Sequence, residues 1–161
     1  MRRKLQVALV ALMLAPSAGM AQDFDAGVLA WQSGDYATAL REWTPLATQG
    51  DARAQAILGV MYDNGRGVPQ DDAEAVKWYR LAAEQSDAWA QNNLGVMYEY
   101  GQGLPQNFVA SRMWYNLAAS AGNEKAVANR DRIAGKMLPA DISEAQRRAG
   151  PCLASNYSDC D

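Results

Sequence analysis

The chain contains no histidine, only two cysteines and only two phenylalanines among its 161 residues. Without an imidazole side chain, Ser-His-Asp and Cys-His catalysis, histidine-ligated metal sites and histidine proton switches are all excluded. No serine is followed by a lysine three residues later, which excludes the serine arrangement of penicillin-recognising enzymes. The composition therefore argues against a nucleophilic enzyme, and we expect no metal and no cofactor.

A long apolar run is also missing, since no stretch approaches the ~20 residues that a membrane-spanning helix requires. The chain opens with three cations, an apolar run from Leu5 to Ala15 and then small residues. This layout is typical of a secretory signal peptide, residues 1–21, with cleavage after Ala21 or, alternatively, after Met20. An uncleaved anchor is the remaining alternative. We expect a periplasmic or secreted protein with no membrane span in the mature chain.

Basic residues are outnumbered, 15 against 18 acidic residues. Cleavage after Ala21 would remove three of the cations and none of the acids, which leaves a mature chain with a formal charge of −6. Nucleic-acid binding draws much of its affinity from cations that neutralise phosphates. We therefore expect that an acidic exported protein of this kind does not bind nucleic acid.

The two cysteines, Cys152 and Cys160, lie close together near the C-terminus, in the segment CLASNYSDC. In an oxidising compartment, the simplest interpretation is a disulfide that closes a short loop within a tail of residues 151–161. One alternative is a metal site, which two thiolates rarely complete without histidine. The other is a reactive thiol pair, which normally has Cys-x-x-Cys spacing.

Internal repetition dominates the middle of the chain. LGVMYDNGRGVPQ at 58–70 returns as LGVMYEYGQGLPQ at 94–106, an offset of 36 residues, and the segment that begins at Trp78 returns at Trp114. A partial, earlier copy begins at Glu42. A repeat of this length is typical of a solenoid that is built from helix pairs.

Each unit predicts two amphipathic helices. At about 100° per residue, one face of each helix in the second unit is apolar. These faces consist of Ala54, Leu58, Gly59 and Tyr62 in the first helix, and of Ala75, Val76, Tyr79, Ala82 and Ala83 in the second. A glycine inside a helix costs roughly 0.5–1 kcal/mol, so we expect Gly59 and Gly95 where two helix backbones touch.

The glycine-rich turn between the two helices predicts a connection. Gly65 and Gly101 stand where the first helices should end, as C-terminal caps, and Asp71 and Asn107 are suited to cap the start of the next helices. A nucleotide-binding loop would need a third glycine at Gln70. A calcium loop would need side-chain oxygens at the positions that the glycines occupy.

The motif of one unit returns in full in the next. Its residues are Leu58-Gly59, Tyr62, Gly65-x-Gly67-Val68, Trp78-Tyr79 and Ala82-Ala83, repeated as Leu94-Gly95, Tyr98, Gly101-x-Gly103-Leu104, Trp114-Tyr115 and Ala118-Ala119. On these residues the chain resembles a Sel1-like repeat protein, a relative of the tetratricopeptide-repeat solenoids. The first unit has a shorter turn and is closer to a tetratricopeptide unit.

The resemblance implies an all-α fold, a right-handed α-α superhelix of about three to four helix-pair repeats. The expected repeat domain covers 22–150, with units at about 24–51, 52–87 and 88–123 and a capping pair at 124–150. The resemblance also implies a non-enzymatic adaptor or scaffold of the bacterial cell envelope, which binds a protein or peptide partner in its concave groove.

The outward face of the first helices is the candidate binding surface, because in such a superhelix it lines the concave groove. Exposed aromatic residues beside polar groups are common anchors of protein recognition. Trp89 and Tyr100 are hard to place in a core, unless neighbouring helices cover both rings. The candidate groove residues are Trp31, Arg53, Asp63, Asn64, Trp89, Asn92, Glu99, Tyr100 and Lys125.

Two other functions stay open at the level of the sequence. One is an envelope enzyme that acts on cell-wall or β-lactam-type substrates through carboxylates such as Asp71 and Asp72. Adjacent carboxylates at a helix start are more often caps and partners of the helix dipole. The other is a structural solenoid that acts only as part of a larger complex.

Overall fold

The computed structural model describes residues 23–155, 157 and 160, and the predicted signal peptide and its cleavage site lie outside these residues. Within them the chain forms eight α-helices and no strand. The helices are α1 (Phe24–Gln32), α2 (Tyr36–Thr48), α3 (Ala52–Asn64), α4 (Asp72–Ala83), α5 (Ala88–Tyr100), α6 (Phe108–Ser120), α7 (Glu124–Ala134) and α8 (Pro139–Ala154). None of these helices is both long enough and apolar enough to cross a membrane.

The helices pack as antiparallel pairs that stack along the chain. α1 packs with α2, α3 with α4 and α5 with α6, and the pairs are joined by contacts of α2 with α3 and of α4 with α5. The predicted all-α superhelix of helix pairs is therefore confirmed. The end of the stack is different, because α7 and α8 both pack against α6.

Polar side chains start the helices of the repeats where the sequence predicts them. Asp71 accepts a hydrogen bond from the backbone N–H of Glu74 at 2.9 Å, and Asn107 accepts one from the N–H of Ala110 at 3.0 Å. Each bond satisfies a backbone donor that has no partner inside the first turn. Asp51, Asp87 and Asn123 do the same at the starts of α3, α5 and α7.

The two glycines of the Gly-x-Gly turn have different tasks. The first, Gly65 or Gly101, ends its helix in the left-handed conformation, with φ of 63° and 68°. The second brings the loop against the preceding unit, since a Cβ on Gly103 would lie 2.3 Å from the carbonyl oxygen of Asp72. Gly67 lies in the same way against the first residue of α2. The turn thus joins helices within a unit and also packs units together.

A glycine on each first helix receives an aromatic ring from the second helix of the same unit. A Cβ on Gly59 would lie 2.4 Å from the ring of Tyr79, and one on Gly95 would lie 2.6 Å from the ring of Tyr115. Gly27 and Trp43 repeat the contact in the first unit. The close approach predicted at Gly59 and Gly95 is therefore present. At Gly59 a flat ring makes it in place of a second backbone, whereas at Gly95 the backbone carbonyl of Ser111 also lies 3.2 Å from the added Cβ.

The C-terminal tail is closed by the disulfide between Cys152 and Cys160, as predicted. Both cysteines are buried, together with Tyr157, in the core cluster that α4, α5 and α6 share. The hydroxyl of Ser86, in the turn before α5, donates a hydrogen bond of 3.0 Å to the hydroxyl oxygen of Tyr157. These contacts attach the tail to the second and third repeat units.

Candidate functional site

The first helices of the three units, α1, α3 and α5, bring equivalent positions together on one face. The glycine–aromatic contacts align the helices, with Gly27, Gly59 and Gly95 at the same place. This alignment gives three rows of side chains along the face. The rows are Val28, Val60 and Val96; Trp31, Asp63 and Glu99; and Gln32, Asn64 and Tyr100.

An apolar pocket of about 290 Å³ opens on this face. Trp31 on α1 and Trp89 on α5 are its two large residues outside the core, and Trp89 is 41% exposed. The lining side chains come from α1, α2, α3 and α5, and only Gln32 among them is polar. The lining consists of Val28, Trp31, Gln32, Trp43, Ile57, Val60 and Trp89.

Neighbouring rings hold Trp31 and Trp89 of the pocket in place. The ring of Trp31 lies 4.9 Å from that of Tyr36 and 5.9 Å from that of Trp43, centre to centre. The guanidinium group of Arg66 lies 5.0 Å from the centre of the Trp31 ring. Trp89 meets Tyr79 edge to face at 6.2 Å. Such contacts reduce the side-chain freedom that a partner would have to remove on binding.

Four other candidate residues lie at the surface. Arg53 pairs with Asp51 at 3.2 Å, and its guanidinium group lies 4.2 Å from the centre of the Phe24 ring. Asn64 is exposed and donates a hydrogen bond to the carbonyl of Val60 at 3.0 Å. Tyr100 is 57% exposed. Lys125 is exposed on α7, away from the residues that line the pocket.

Asp63 is half-buried beside the pocket. The hydroxyl of Tyr79 donates a hydrogen bond of 3.3 Å to its carboxylate. Burial raises the pKa of Asp63, the Tyr79 bond lowers it and the charge of Asp72 raises it, so that the pKa lies above its usual value. A carboxylate in this setting gains from a positive charge nearby.

Glu99 differs from the expectation of an open groove residue, because it is only 1% exposed. Its carboxylate accepts hydrogen bonds from Arg132 at 2.7 Å, from Tyr115 at 2.9 Å and from Lys136 at 3.2 Å. Burial alone would raise the pKa of Glu99, but these hydrogen bonds and the charge of Arg132 hold it below its usual value. The residue joins α5 to the end of the stack.

Asn92 is also buried, at 5% exposure, and its side-chain oxygen accepts a hydrogen bond of 3.0 Å from Asn129 on α7. The physical reason is the same for both residues: α7 covers the surface of α5 that a helical wheel places toward the groove. Arg132 and Asn129 lie in α7, outside the two units that share the repeat motif, so the motif offers no sign of these bonds. The open part of the face therefore extends from Trp31 to Tyr100 without Asn92 and Glu99.

The carboxylate pair Asp71 and Asp72 lies at the start of α4. Asp71 caps the helix, and Asp72 accepts a hydrogen bond of 3.2 Å from Gln70. Among the described residues, no group of three or more His, Cys, Asp or Glu side chains could hold a metal ion. The pair thus has a structural task at the beginning of the helix.

Comparison with known proteins identifies two of the helix pairs as repeats of a known family. A family model described as the Sel1 repeat matches residues 52–87 and 90–123, which are the second and third helix pairs. The chain is a Sel1-like repeat protein. Among curated proteins, none matches it in sequence.

Two solved structures resemble this Sel1-like repeat protein. A protective antigen of uropathogenic Escherichia coli that displays an SLR fold has a TM-score of 0.77 and 24% identity, over 83% of this chain and 30% of that one. At this identity the likeness shows the fold alone. A Sel1 repeat protein from Oxalobacter formigenes has a TM-score of 0.68 and 30% identity, over 80% of this chain and 55% of that one. The chain thus spans about a third to a half of their lengths.

The family also bears on function at a general level. Sel1 repeats generally form scaffolds for protein–protein interaction, and proteins built from them are generally non-enzymatic adaptors. A solenoid of this kind offers an extended concave surface to its partners. The face of α1, α3 and α5 is the one that the sequence predicts for this role.

Proposed function

We propose that this Sel1-like repeat protein is a non-enzymatic adaptor of the bacterial cell envelope, which binds a segment of a protein partner on the face of α1, α3 and α5. The observation that carries the proposal is the apolar pocket between Trp31 and Trp89. Buried tryptophan and tyrosine anchors dominate the energetics of many protein interfaces.

The composition of the pocket supports an apolar side chain of the partner as its occupant. Six of the seven lining residues are apolar, and the volume of about 290 Å³ is near the lower end of the range for ligand pockets. Exposed polar residues, such as Arg53 and Asn64, lie on α3, the helix that contributes Ile57 and Val60 to the lining. An apolar centre with a polar rim is the usual plan of a protein-binding patch.

The envelope location is supported by two features of the chain. The first is the disulfide of Cys152 and Cys160, a bond that persists in oxidising compartments such as the periplasm. The second is the predicted signal peptide of residues 1–21. Periplasmic fractionation, with and without these residues, measures the location directly.

Site-specific crosslinking in the native cells tests the binding face. A photoreactive phenylalanine analogue is placed at Trp89 or Tyr100 in the groove, or at Leu81 or Leu153, which are exposed elsewhere. We expect a discrete crosslinked protein from the groove positions and none from the two controls. Crosslinking from Leu81 or Leu153 alone would show that the binding face is elsewhere.

A further inference from the structure

Asp63 and Glu99 occupy the same position in consecutive units. They are 36 residues apart, and each accepts a hydrogen bond from the tyrosine of its own second helix, Tyr79 or Tyr115. The two positions differ in what lies on their other side. We therefore compare the charged groups that surround each of the two carboxylates.

At the junction of α5 and α7, two cations satisfy Glu99. Arg132 and Lys136 both donate to its carboxylate. The same offset places Val96 and Tyr100 at the junction of α3 and α5, where neither side chain carries a positive charge. The first junction is therefore closed by an internal ion cluster, whereas the second lacks its basic members.

Basic residues of the second unit are engaged elsewhere. Arg53 pairs with Asp51, Arg66 lies over the ring of Trp31, and Arg80 donates to the hydroxyl of Tyr98 at 2.8 Å. In the part of the chain that the structure describes, no ion pair or hydrogen bond joins a basic side chain to Asp63. Among the described residues, the side-chain hydrogen-bond partner of this half-buried carboxylate is the hydroxyl of Tyr79.

The carboxylate adjoins the apolar pocket. Val60 lines the pocket and precedes Asp63 by three residues on α3, which is about 4.5 Å along the helix axis. Tyr79 contacts the ring of Trp89 on one side and donates to Asp63 on the other. One segment of a partner can therefore reach both features at once.

We propose that Asp63 binds an arginine or lysine side chain of the partner, in the way that Glu99 binds Arg132 and Lys136 within the chain. The partner is then a peptide segment with a basic residue next to an apolar residue that fills the pocket of Trp31 and Trp89. This inference rests on the proposed function and adds the chemistry of the partner to it. Charge-assisted hydrogen bonds to a carboxylate are about twice as strong as neutral ones, and arginine makes them in pairs.

The probe is a displayed library of random 16-residue peptides, from which binders are selected on the purified protein. We expect the selected peptides to combine an aromatic or aliphatic residue with an arginine or lysine a few positions away. Selection on Asp63→Asn should retain the apolar preference and lose the basic one. Glu124→Gln, which removes one negative charge from the exposed first turn of α7, is the matched control and should keep both preferences.

A double-mutant cycle measures the contact itself. In one selected peptide the arginine is replaced by citrulline, which has nearly the same shape and no charge. On the wild-type protein we expect the replacement to weaken binding about 10- to 100-fold, the range for a hydrogen bond to a charged group. On Asp63→Asn it should change binding less than about threefold. Equal effects on both proteins would overturn the inference.

Val96→Arg provides a second variant that does not depend on removing the carboxylate. The substitution places a cation at the position that Arg132 has at the next junction, so the new arginine should pair with Asp63. Binding of the arginine peptide should then be weaker, whereas binding of the citrulline peptide should not change. Retained preference for arginine in Val96→Arg would contradict the assigned position. Circular dichroism and urea unfolding of each variant show whether its fold is intact.

The outcomes separate the two proposals. Selected peptides that bind through the pocket, lose affinity in Trp89→Ala and carry no basic residue would refute the role of Asp63 and leave the proposed function standing. Peptides whose binding is unaffected by Trp89→Ala would refute the proposed binding face, and the role of Asp63 with it.

Discussion

At the scale of single residues, the glycines of the first helices set how closely each unit packs. Gly27, Gly59 and Gly95 each lie under an aromatic ring, with no room for a Cβ. The polar ends of the rings are bonded as well, since Tyr79 and Tyr115 donate to carboxylates. Glycine is therefore retained inside these helices for its small volume, although it is a poor helix former.

Gly95→Ala tests this packing. The added methyl group would lie 2.6 Å from the ring of Tyr115, so the free energy of unfolding should fall by about 1–3 kcal/mol, even though alanine favours helix. Urea unfolding followed by circular dichroism measures it. Gly135→Ala is the control, because its nearest atom lies at 3.6 Å, and it should change stability by less than about 0.5 kcal/mol. Equal effects would contradict the packing role.

At the scale of helices and turns, the sequence of one repeat unit predicts the structure inside the unit better than its contacts with the next unit. The buried faces of α3 and α4, the caps at Asp71 and Asn107 and the stops at Gly65 and Gly101 all follow from local chemistry. For the second glycine of each turn, the sequence predicts only a place in the connection between two helices. Its contact with the preceding unit depends on how two units stack, which a single repeat does not encode.

Gly103→Ala tests the contact between units. A left-handed φ costs a non-glycine residue about 1–2 kcal/mol, and here a Cβ would also lie 2.3 Å from the carbonyl oxygen of Asp72. Gly122→Ala is the matched control, with φ of 88° and nothing within 4 Å of its Cβ. We expect Gly103→Ala to lose at least about 1 kcal/mol more unfolding free energy than Gly122→Ala. A loss of the same size in both would argue that the turn does not support the stack.

The attachment of α7 to α5 through Glu99 predicts that the stability of the fold depends on pH. Because the pKa of Glu99 is lowered in the folded chain, its ionised form stabilises the fold above the ordinary glutamate value of about 4.3. This stability is lost as the pH falls from there toward the lower folded-state pKa.

Glu99→Gln removes this contribution. At pH 7 the free energy of unfolding of the variant should be about 1.5–3 kcal/mol lower, the range for hydrogen bonds to a charged group. The difference from the wild type should shrink below about pH 4. Urea unfolding of both proteins between pH 3 and pH 7 gives the difference in unfolding free energy. The other carboxylates are present in both proteins, so their contributions drop out of this difference. A difference that does not change with pH would contradict the role of the Glu99 charge.

At the scale of the whole molecule, the repeats predict the superhelix, but the candidate site only in part. Trp89 and Tyr100 are exposed as the helical wheel of α5 suggests. Glu99 and Asn92 share that side of the helix and are nevertheless buried, because α7 supplies Arg132 and Asn129 from outside the repeat motif. The pocket also needs side chains of α1, α2, α3 and α5 together, which is a property of the stack.

The disulfide closes the C-terminal tail, and its two cysteines are buried in the core cluster of α4, α5 and α6. Replacing both Cys152 and Cys160 with serine should lower the unfolding free energy by about 2.5 kcal/mol, from the entropy of a loop of this length. Binding of a selected peptide should be unchanged, since neither cysteine lines the pocket. Urea unfolding and fluorescence anisotropy with the labelled peptide measure the two effects. Weaker binding in a folded double variant would show that the tail contributes to the site.

The five tryptophans give the most direct measurement of where a partner binds, because each carries one indole N–H signal. Trp31 and Trp89 line the pocket, whereas Trp114 is buried in the core of the third unit. Two-dimensional nuclear magnetic resonance during titration with a selected peptide follows all of these signals. We predict that the Trp31 and Trp89 signals shift with saturation and that the Trp114 signal stays in place. Saturable binding that leaves the Trp31 and Trp89 signals unmoved would contradict a partner-binding groove on α1, α3 and α5.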